Sequence, residues 1–362
     1  MLILVINCGS SSAKYQLFDI GKNRSLARGI IERIGQGGMA KDHYLAISII
    51  IDTLTDRRHG VIKSKLEIDG VGHRVVHGGE KFKASTLITR KVIKSIEDYS
   101  ELAPLHNPPS LLGINASFKI LKNIPQAAVF DTSFHQTMPA KAYIYGLPFK
   151  YYGKYGIRKY GFHGTSHRYV AEEAGRKFGK PLSRLKLITC HLGNGCSMAA
   201  IDGGVSVDTS MGFTPLEGLL MGTRSGDIDP AAVLYIMEKE GMTPSRINDM
   251  LNKESGLLGI SGISNDMRDL TKAIKNNRAR LAIEIFIYRI KKYIGAYQAA
   301  MGGLDAVIFT AGISENNPWL VKRVAKELKR VVSGKVKFLV IPTNEELLIA
   351  KDTYSIIKKG RI

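Results

Sequence analysis

Seven of the nine histidines fall between His73 and His191, most of them beside glycine, arginine or proline. They stand in GHRVVHGGEK (72–81), LAPLHNPPS (102–110), VFDTSFHQTMP (129–139), RKYGFHGTSHRYV (158–170) and ITCHLGNG (188–195). These stretches put polar and cationic groups on glycine-rich loops at strand ends, where α/β proteins bind ligands. Arg74 follows a strand-like run between His73 and His77, and Arg224 sits in MGTRSGDIDP between two glycine turns. A guanidinium is permanently charged and bidentate, so two on separate loops can clamp a carboxylate and a phosphoryl group. Each alone reads equally well as a salt-bridge residue. Together with Asn7, Asp131 and Glu345 on further strand-end loops, they suit phosphoryl transfer, which fixed charges and donors stabilise.

Other chemistries find less support. His163 and His167 stand four apart, but Gly164 lies between them and no glutamate occupies the HExxH position, which argues against zinc. No GxSxG follows a strand, so a serine hydrolase is disfavoured. NCGSSSAK (7–14), held between the apolar runs LILVI and YQLFDI, is a small-residue loop suited to phosphate. The usual phosphate loop, GxxxxGK[ST], is absent. Nucleotide handling therefore calls for other machinery.

The elements that must position these residues read as α/β. The 362 residues allow two domains, with 44% hydrophobic and 23% charged residues. No apolar run approaches the length of a membrane span, no charged-then-apolar leader opens the sequence, and three cysteines fit a reducing cytosol. A cytoplasmic protein with no membrane partner is expected. The net charge of +20 is dispersed among apolar residues, without an Arg-rich tail or an RNA-binding motif, so it reads as a solvated basic surface and no nucleic-acid partner is expected.

LILVINCGSSSAKYQLFDIG (2–21) and LKLITCHLGNGCSMAAIDGG (185–204) both read strand, small-residue turn, strand, turn, with Gly9 aligned on Gly193 at an offset of 184 residues. Two unrelated hairpins could look alike. The position near the start of each half favours duplication of one α/β unit with a ligand cleft between the copies. Strands are expected within 66–76, at 127–131, at the start of AVIFTAGISEN (306–316) and in KFLVIPTNEE (337–346). Helices are expected at 167–178, at 231–239 behind Pro230, at 276–301 on a stripe of Leu281, Ile285 and Tyr288, and from about Asn344.

INCGSSSAKY, GHRVVHGGEKF, ELAPLHNPP, VFDTSFHQTMP, RKYGFHGTSH, ITCHLGNG, VDTSMGFTPLEGLLMGTRSGDIDP, SGISNDMRDL, FTAGISEN and VIPTNEE occur in the order found in acetate kinases. From Leu4 to Glu346 the chain resembles that family. The resemblance implies duplicated actin-like (ribonuclease H-like) α/β domains flanking a nucleotide cleft. An N-terminal domain would span 1–131 plus about 348–362, and a second 132–347. It also implies reversible phosphorylation of acetate by Mg-ATP to acetyl phosphate and ADP, with Mn²⁺ as an alternative cation, in a homodimer formed through the second domain. The face around 283–300 would supply that interface or pack internally.

By the same resemblance, Lys14 and His191, Leu192, Gly193, Asn194 and Gly195 lie along the nucleotide phosphates. Asp266, Met267 and Arg268 match the adenosine loop; Gly312, Ile313, Ser314, Glu315 and Asn316 match the other nucleotide turn. Asn7 and Glu345 match magnesium-associated positions, with capping of the last helix as the alternative for Glu345. Arg74 matches the acetate-binding arginine, and Val76, Leu105, Phe162 and Pro215 the methyl pocket. Arg224 and His163 match the groups on the transferring phosphoryl. Asp131 matches a position described as acid/base; a carboxylate substrate ionised at neutral pH needs no base, so Asp131 is expected to orient Arg74 or Arg224 instead. Two departures stand out: a shortened segment before Val340, and Ser314 where the turn would carry a second glycine tolerant of positive φ. Propionate or another short-chain acid is the alternative acceptor, and a nucleotide-binding protein without kinase activity the alternative class.

Overall fold

The structure is a computed structural model that describes every residue except Leu105, Arg330, 333–335 and 361–362. The chain divides into two units, Met1–Phe134 with Asn344–Ile362, and His135–Thr343. The expected methyl-pocket residue Leu105 lies outside the described residues.

The first unit is built on a six-stranded sheet in the order β3-β2-β1-β4-β6-β5. Its strands are β1 (Leu2–Cys8), β2 (Ser12–Asp19), β3 (Arg24–Glu32), β4 (Ile68–Val75), β5 (Thr86–Leu87) and β6 (Gln126–Phe130). β1 buries Ile3, Leu4, Val5 and Ile6 because it is a central strand covered on both faces. It pairs antiparallel with β2 and parallel with β4, and the turn between β1 and β2 closes through Gly9 N–H to Ser12 O at 2.8 Å. Helix His43–Thr55 begins where Asp42 Oδ1 accepts from Leu45 N at 2.8 Å, and its Ala46, Ile47, Ile50 and Leu54 join the β1–β2 core.

The terminal helix Glu345–Gly360 packs against β4, β1 and β6. Its approach depends on glycines in β4: a Cβ at Gly72 would stand 2.4 Å from Thr353 Oγ1 and 2.8 Å from Ile349 Cγ2. Small residues here let the helix that starts with Glu345 lie against the strand that ends beside Arg74. Gly72→Ala is expected to push the helix outward, costing about 1–3 kcal/mol. Urea denaturation checks this; an unchanged midpoint would show that the close approach is unimportant.

The second unit repeats the plan in a five-stranded sheet, order β11-β10-β7-β8-β9. The strands are β7 (Lys186–Leu192), β8 (Cys196–Asp202), β9 (Val205–Thr209), β10 (Ala306–Thr310) and β11 (Lys337–Val340). β7 and β8 begin 184 residues after β1 and β2. Both units run antiparallel, antiparallel, parallel, parallel outward through β3-β2-β1-β4-β6 and β9-β8-β7-β10-β11. The faint hairpin repeat is thus a duplicated sheet.

Two helical expectations need correction. Helix Gly164–Phe178 starts three residues before His167, because His163 takes a left-handed conformation (φ 57°) at its N-cap. Helix Asn277–Met301 has the expected extent, and Asn276 caps it, but its stripe is turned. Leu281 and Tyr288 are exposed, whereas Ile283, Phe286, Ile287, Ile290 and Ile294 are buried within this unit. The 283–300 face is therefore a core face. Helix Pro230–Lys239 buries none of its residues and leaves Leu234 and Tyr235 exposed. No described helix is long and apolar enough to cross a membrane, and all three cysteines are free and buried.

Candidate active site

In the first unit the parallel strands deliver their carboxyl ends side by side. Arg74 stands opposite Val129 in the β4–β6 register, and Asp131 follows β6 directly. Asp131 is 1% exposed and takes two bonds from Arg74: Nε to Oδ1 at 3.2 Å and Nη2 to Oδ2. Glu345 Oε2 lies 3.7 Å from Arg74 Nε. Asp131 therefore engages Arg74, the first of the two arginines considered for it. Beyond β4 the chain is pinned by His77 N–H to Asn107 Oδ1 (3.1 Å), Asn107 Nδ2–H to His77 O (3.0 Å) and Gly78 N–H to Thr132 Oγ1 (3.3 Å). Val76, at the start of this loop, is buried. Asn107 and Thr132 are positioning groups that motif reading passed over, because an asparagine before two prolines looks like a plain helix start.

Asn7, the penultimate residue of β1, stands opposite Lys14, which is exposed on β2. The last helix is capped by Asn344, whose Oδ1 accepts from Leu347 N at 3.0 Å. Glu345 is thereby released from the capping alternative. Burial pushes the Glu345 carboxyl up to about 7, Arg74 opposes the rise, and the neighbouring Asp131 and Glu346 add to it. Such a carboxyl gains a great deal from a cation. Asn7 and Glu345 supply oxygen donors, few enough for a hard ion that keeps several of its waters. No group of three or more His, Cys, Asp or Glu side chains able to hold a metal occurs among the described residues.

A folded-state pKa above the ordinary 4.5 means that folding favours the protonated form. The stabilising effect of Glu345, relative to glutamine at the same place, is full below about 4.5 and is lost as pH rises through about 7. Denaturation of metal-free wild type and Glu345→Gln across that window is expected to show the difference shrinking upward. Parallel profiles would contradict it.

The second unit carries the other groups. Arg224 sits on the loop between β9 and helix Pro230–Lys239, where Nη1 donates to Pro215 O at 3.3 Å. It has no carboxylate partner among the described residues, and burial lowers its pKa. A half-buried guanidinium without a counter-ion is the strongest single sign of an anion site here. A Cβ at Gly195 would stand 3.3 Å from Arg224 Nη1 and 3.5 Å from His163 Cε1, so these three residues converge. The His163 ring stacks on His191 at 4.1 Å between centroids, and His191 Nδ1 meets Ser166 Oγ at 2.8 Å. Phe162 is buried beside His163, and Pro215 is half-buried.

A cavity of about 260 Å³ opens in the same unit. The β7–β8 turn gives it Gly193 and Asn194; Asp266, Met267 and Arg268 form a second wall, and Gly312, Ile313 and Asn316 a third. Asn265, inside SGISNDMRDL, and Asn317, directly after FTAGISEN, line it too, and neither is among the expected site residues. Asn265 Nδ2 donates to Asn194 Oδ1 at 3.0 Å, tying two walls together, and Asp266 caps its helix while holding Arg268. Leu192 and Ser314 are fully buried rather than on the wall, and Glu315, though exposed, folds back to accept from Ala311 N at 2.8 Å. The concern over Ser314 falls on its neighbour instead. Ser314 lies inside the helical turn Gly312–Asn316, while Ala311 bears the positive φ (67°, ψ 172°), a region otherwise almost confined to glycine.

Residues 2–334 match the profile of the Acetokinase family. The acetate kinase of Halothermothrix orenii is 55% identical over 397 residues, covering 99% of this chain and all of that one. Among solved structures, the Porphyromonas gingivalis acetate kinase superposes with a TM-score of 0.94 at 44% identity, covering 98% of this chain and 99% of its own. A propionate kinase from Francisella tularensis gives 0.90 at 40%, with the same coverage. A duplicated sheet and these matches over nearly the whole length lead to one statement: the chain belongs to the acetokinase family.

Proposed function

We propose that this chain reversibly phosphorylates acetate from Mg-ATP, giving acetyl phosphate and ADP. The observation that carries the reading is Arg224, half-buried, lacking a carboxylate partner among the described residues and converging with His163 on Gly195. Arg74, held by Asp131, grips the acetate carboxylate; Val76, Leu105, Phe162 and Pro215 are the positions that match the family's methyl pocket. One carboxylate oxygen attacks the γ-phosphorus in line, the bond to the β–γ bridging oxygen breaks, and ADP leaves with that electron pair. Acetate, with a pKa of about 4–5, is already ionised at neutral pH, so no base is required. Asp131 serves as a positioning residue.

Charge spreads over the equatorial oxygens during transfer, and Arg224 and His163 supply a fixed cation and a donor there. The backbone of His191–Gly195 and Lys14 attend the phosphates, while Asp266–Arg268 and Gly312–Asn316 hold the nucleoside side. Mg²⁺, or Mn²⁺ with the same oxygen donors, would be held by Asn7 and Glu345 and would neutralise phosphate charge. Its binding needs Glu345 ionised, so affinity should rise with pH toward about 7.

The likeness to a propionate kinase favours propionate as a slower substrate. One methylene is worth about 1–3 kcal/mol of discrimination, too little for exclusion. We also propose a homodimer, now through exposed Leu234 and Tyr235 rather than the buried 283–300 face; light scattering tests it. For the reaction, ADP release with acetate, propionate, butyrate or no acceptor is decisive. Turnover greatest with acetate supports the proposal; ATP loss independent of acceptor overturns it.

A further inference from the structure

Behind His163 lies a file of buried polar groups that the reaction as described does not use. Ser197 Oγ sits between two imidazoles, 2.7 Å from His167 Nε2 and 2.9 Å from His163 Nδ1. His167 Nδ1 in turn meets Thr189 Oγ1 at 2.7 Å. Thr189, His167 and Ser197 are all fully buried. Burial, with His135 and His191 nearby, holds the pKa of His167 well below 6.5, so this ring is neutral and has one donor nitrogen and one acceptor.

Each hydroxyl has a single proton, and Ser197 accepting from both rings would leave its own buried proton without an acceptor among the described residues, so two head-to-tail orders of the file remain. In one, Thr189 donates to His167 Nδ1, His167 Nε2–H donates to Ser197, and Ser197 donates to His163 Nδ1. His163 then carries its own proton on Nε2. In the other, every bond is reversed: His163 Nδ1–H donates to Ser197, Ser197 to His167 Nε2, and His167 Nδ1–H to Thr189. The Thr189 proton would then need a second acceptor, and Thr189 Oγ1 makes no other hydrogen bond among the described residues. A buried hydroxyl left without an acceptor is costly, so the first order is favoured. It is also the useful one. A Cβ at Gly195 would stand 3.6 Å from His163 Nε2 and 3.3 Å from Arg224 Nη1, so Nε2 shares a side with the arginine. Nε2 bearing a proton offers phosphoryl oxygens a donor, whereas Nε2 bearing a lone pair would repel them.

We propose that Thr189, His167 and Ser197 form a directed hydrogen-bond relay that fixes His163 as the Nε2–H tautomer, so that a neutral imidazole donates to the transferring phosphoryl group. The proposal rests on the functional reading above and concerns positioning residues, which touch no substrate. Bonds aligned head to tail also polarise one another and sharpen the terminal donor.

The test has a spectroscopic arm and a kinetic arm. With the full chain labelled with nitrogen-15 at histidine, two-bond proton–nitrogen correlations distinguish the two tautomers, and a His163→Gln variant assigns the signal. The expected result is Nε2–H for His163 in wild type and in Thr189→Ser, and a mixture in Thr189→Val and Ser197→Ala. In the kinetic arm these last two variants lose about tenfold in kcat, less than the 10²–10³ for a lost donor, with KM for acetate and ATP unchanged. Thr189→Ser keeps the wild-type rate. A wild-type His163 found as Nδ1–H, or full kcat in Thr189→Val, overturns the relay. If Ser197→Ala fails to fold, the wild-type spectrum and Thr189→Val still decide. The tautomer is read without turnover, so a chain that failed to phosphorylate acetate would refute the functional reading while leaving the relay separately judged.

Discussion

Arg224→Ala lowers kcat by about 10²–10³, equivalent to about 3–4 kcal/mol of transition-state stabilisation, while the fold stays intact. The separation of the two effects follows from its surroundings. Arg224 donates to the Pro215 carbonyl and faces Met221 Sδ at 3.9 Å, and no carboxylate among the described residues depends on it. Removing it strands no buried charge, and relief of a desolvated guanidinium offsets the lost contact. Steady-state kinetics and a denaturation curve on the same preparation test both halves. A variant that unfolds early would mean that Arg224 is a structural cation; one with normal kcat would remove it from the chemistry.

Arg74→Ala behaves in the opposite way. It takes from Asp131, 1% exposed, the cation that engages both of its oxygens, and it leaves Glu345 nearby as a second carboxyl. Breaking such a pair from one side costs about 3–5 kcal/mol, reduced here because Arg74 itself is 21% exposed. Arg74→Ala should therefore lose both stability and acetate turnover. The double variant Arg74→Ala with Asp131→Asn removes the carboxylate charge as well and should regain part of the stability without regaining activity. If the double variant is as unstable as the single one, the loss comes from packing and the ion pair is not its cause. If Asp131→Asn alone keeps a normal rate with Arg74 unmoved, Asp131 has no positioning role.

What could be read from the chain depended on how local the signal was. The hairpin at β1–β2 and its copy at β7–β8 are local, each an apolar strand, a turn of small residues and a second strand, so the duplication was legible from one offset. Motif loops at strand ends were legible too, since Gly193, Asn194, Asp266 and Gly312 meet around one cavity. The stripe on helix Asn277–Met301 was misassigned because a helical period specifies a face but not its cover. Leu281 and Tyr288 satisfy the period as well as Ile283 and Ile290 do. The turn after β10 was misjudged because the positive φ depends on where the short helix begins, which moves it from Ser314 to Ala311. Thr189 and Ser197 were invisible. A buried hydroxyl inside a strand carries no periodic mark, and its partner on helix Gly164–Phe178 becomes a neighbour only through packing.

The central claim is that Arg224 awaits a phosphoryl group passing from ATP to a carboxylate. Trapping the acyl phosphate with hydroxylamine tests it most directly, with wild type and Arg224→Ala compared at saturating Mg-ATP and acetate and nucleotide affinity measured alongside. The account predicts acetyl hydroxamate in step with ADP for wild type. For Arg224→Ala it predicts a yield lower by about 10²–10³ at unchanged nucleotide affinity. ADP formed without hydroxamate, or equal yields from the two proteins, would contradict it.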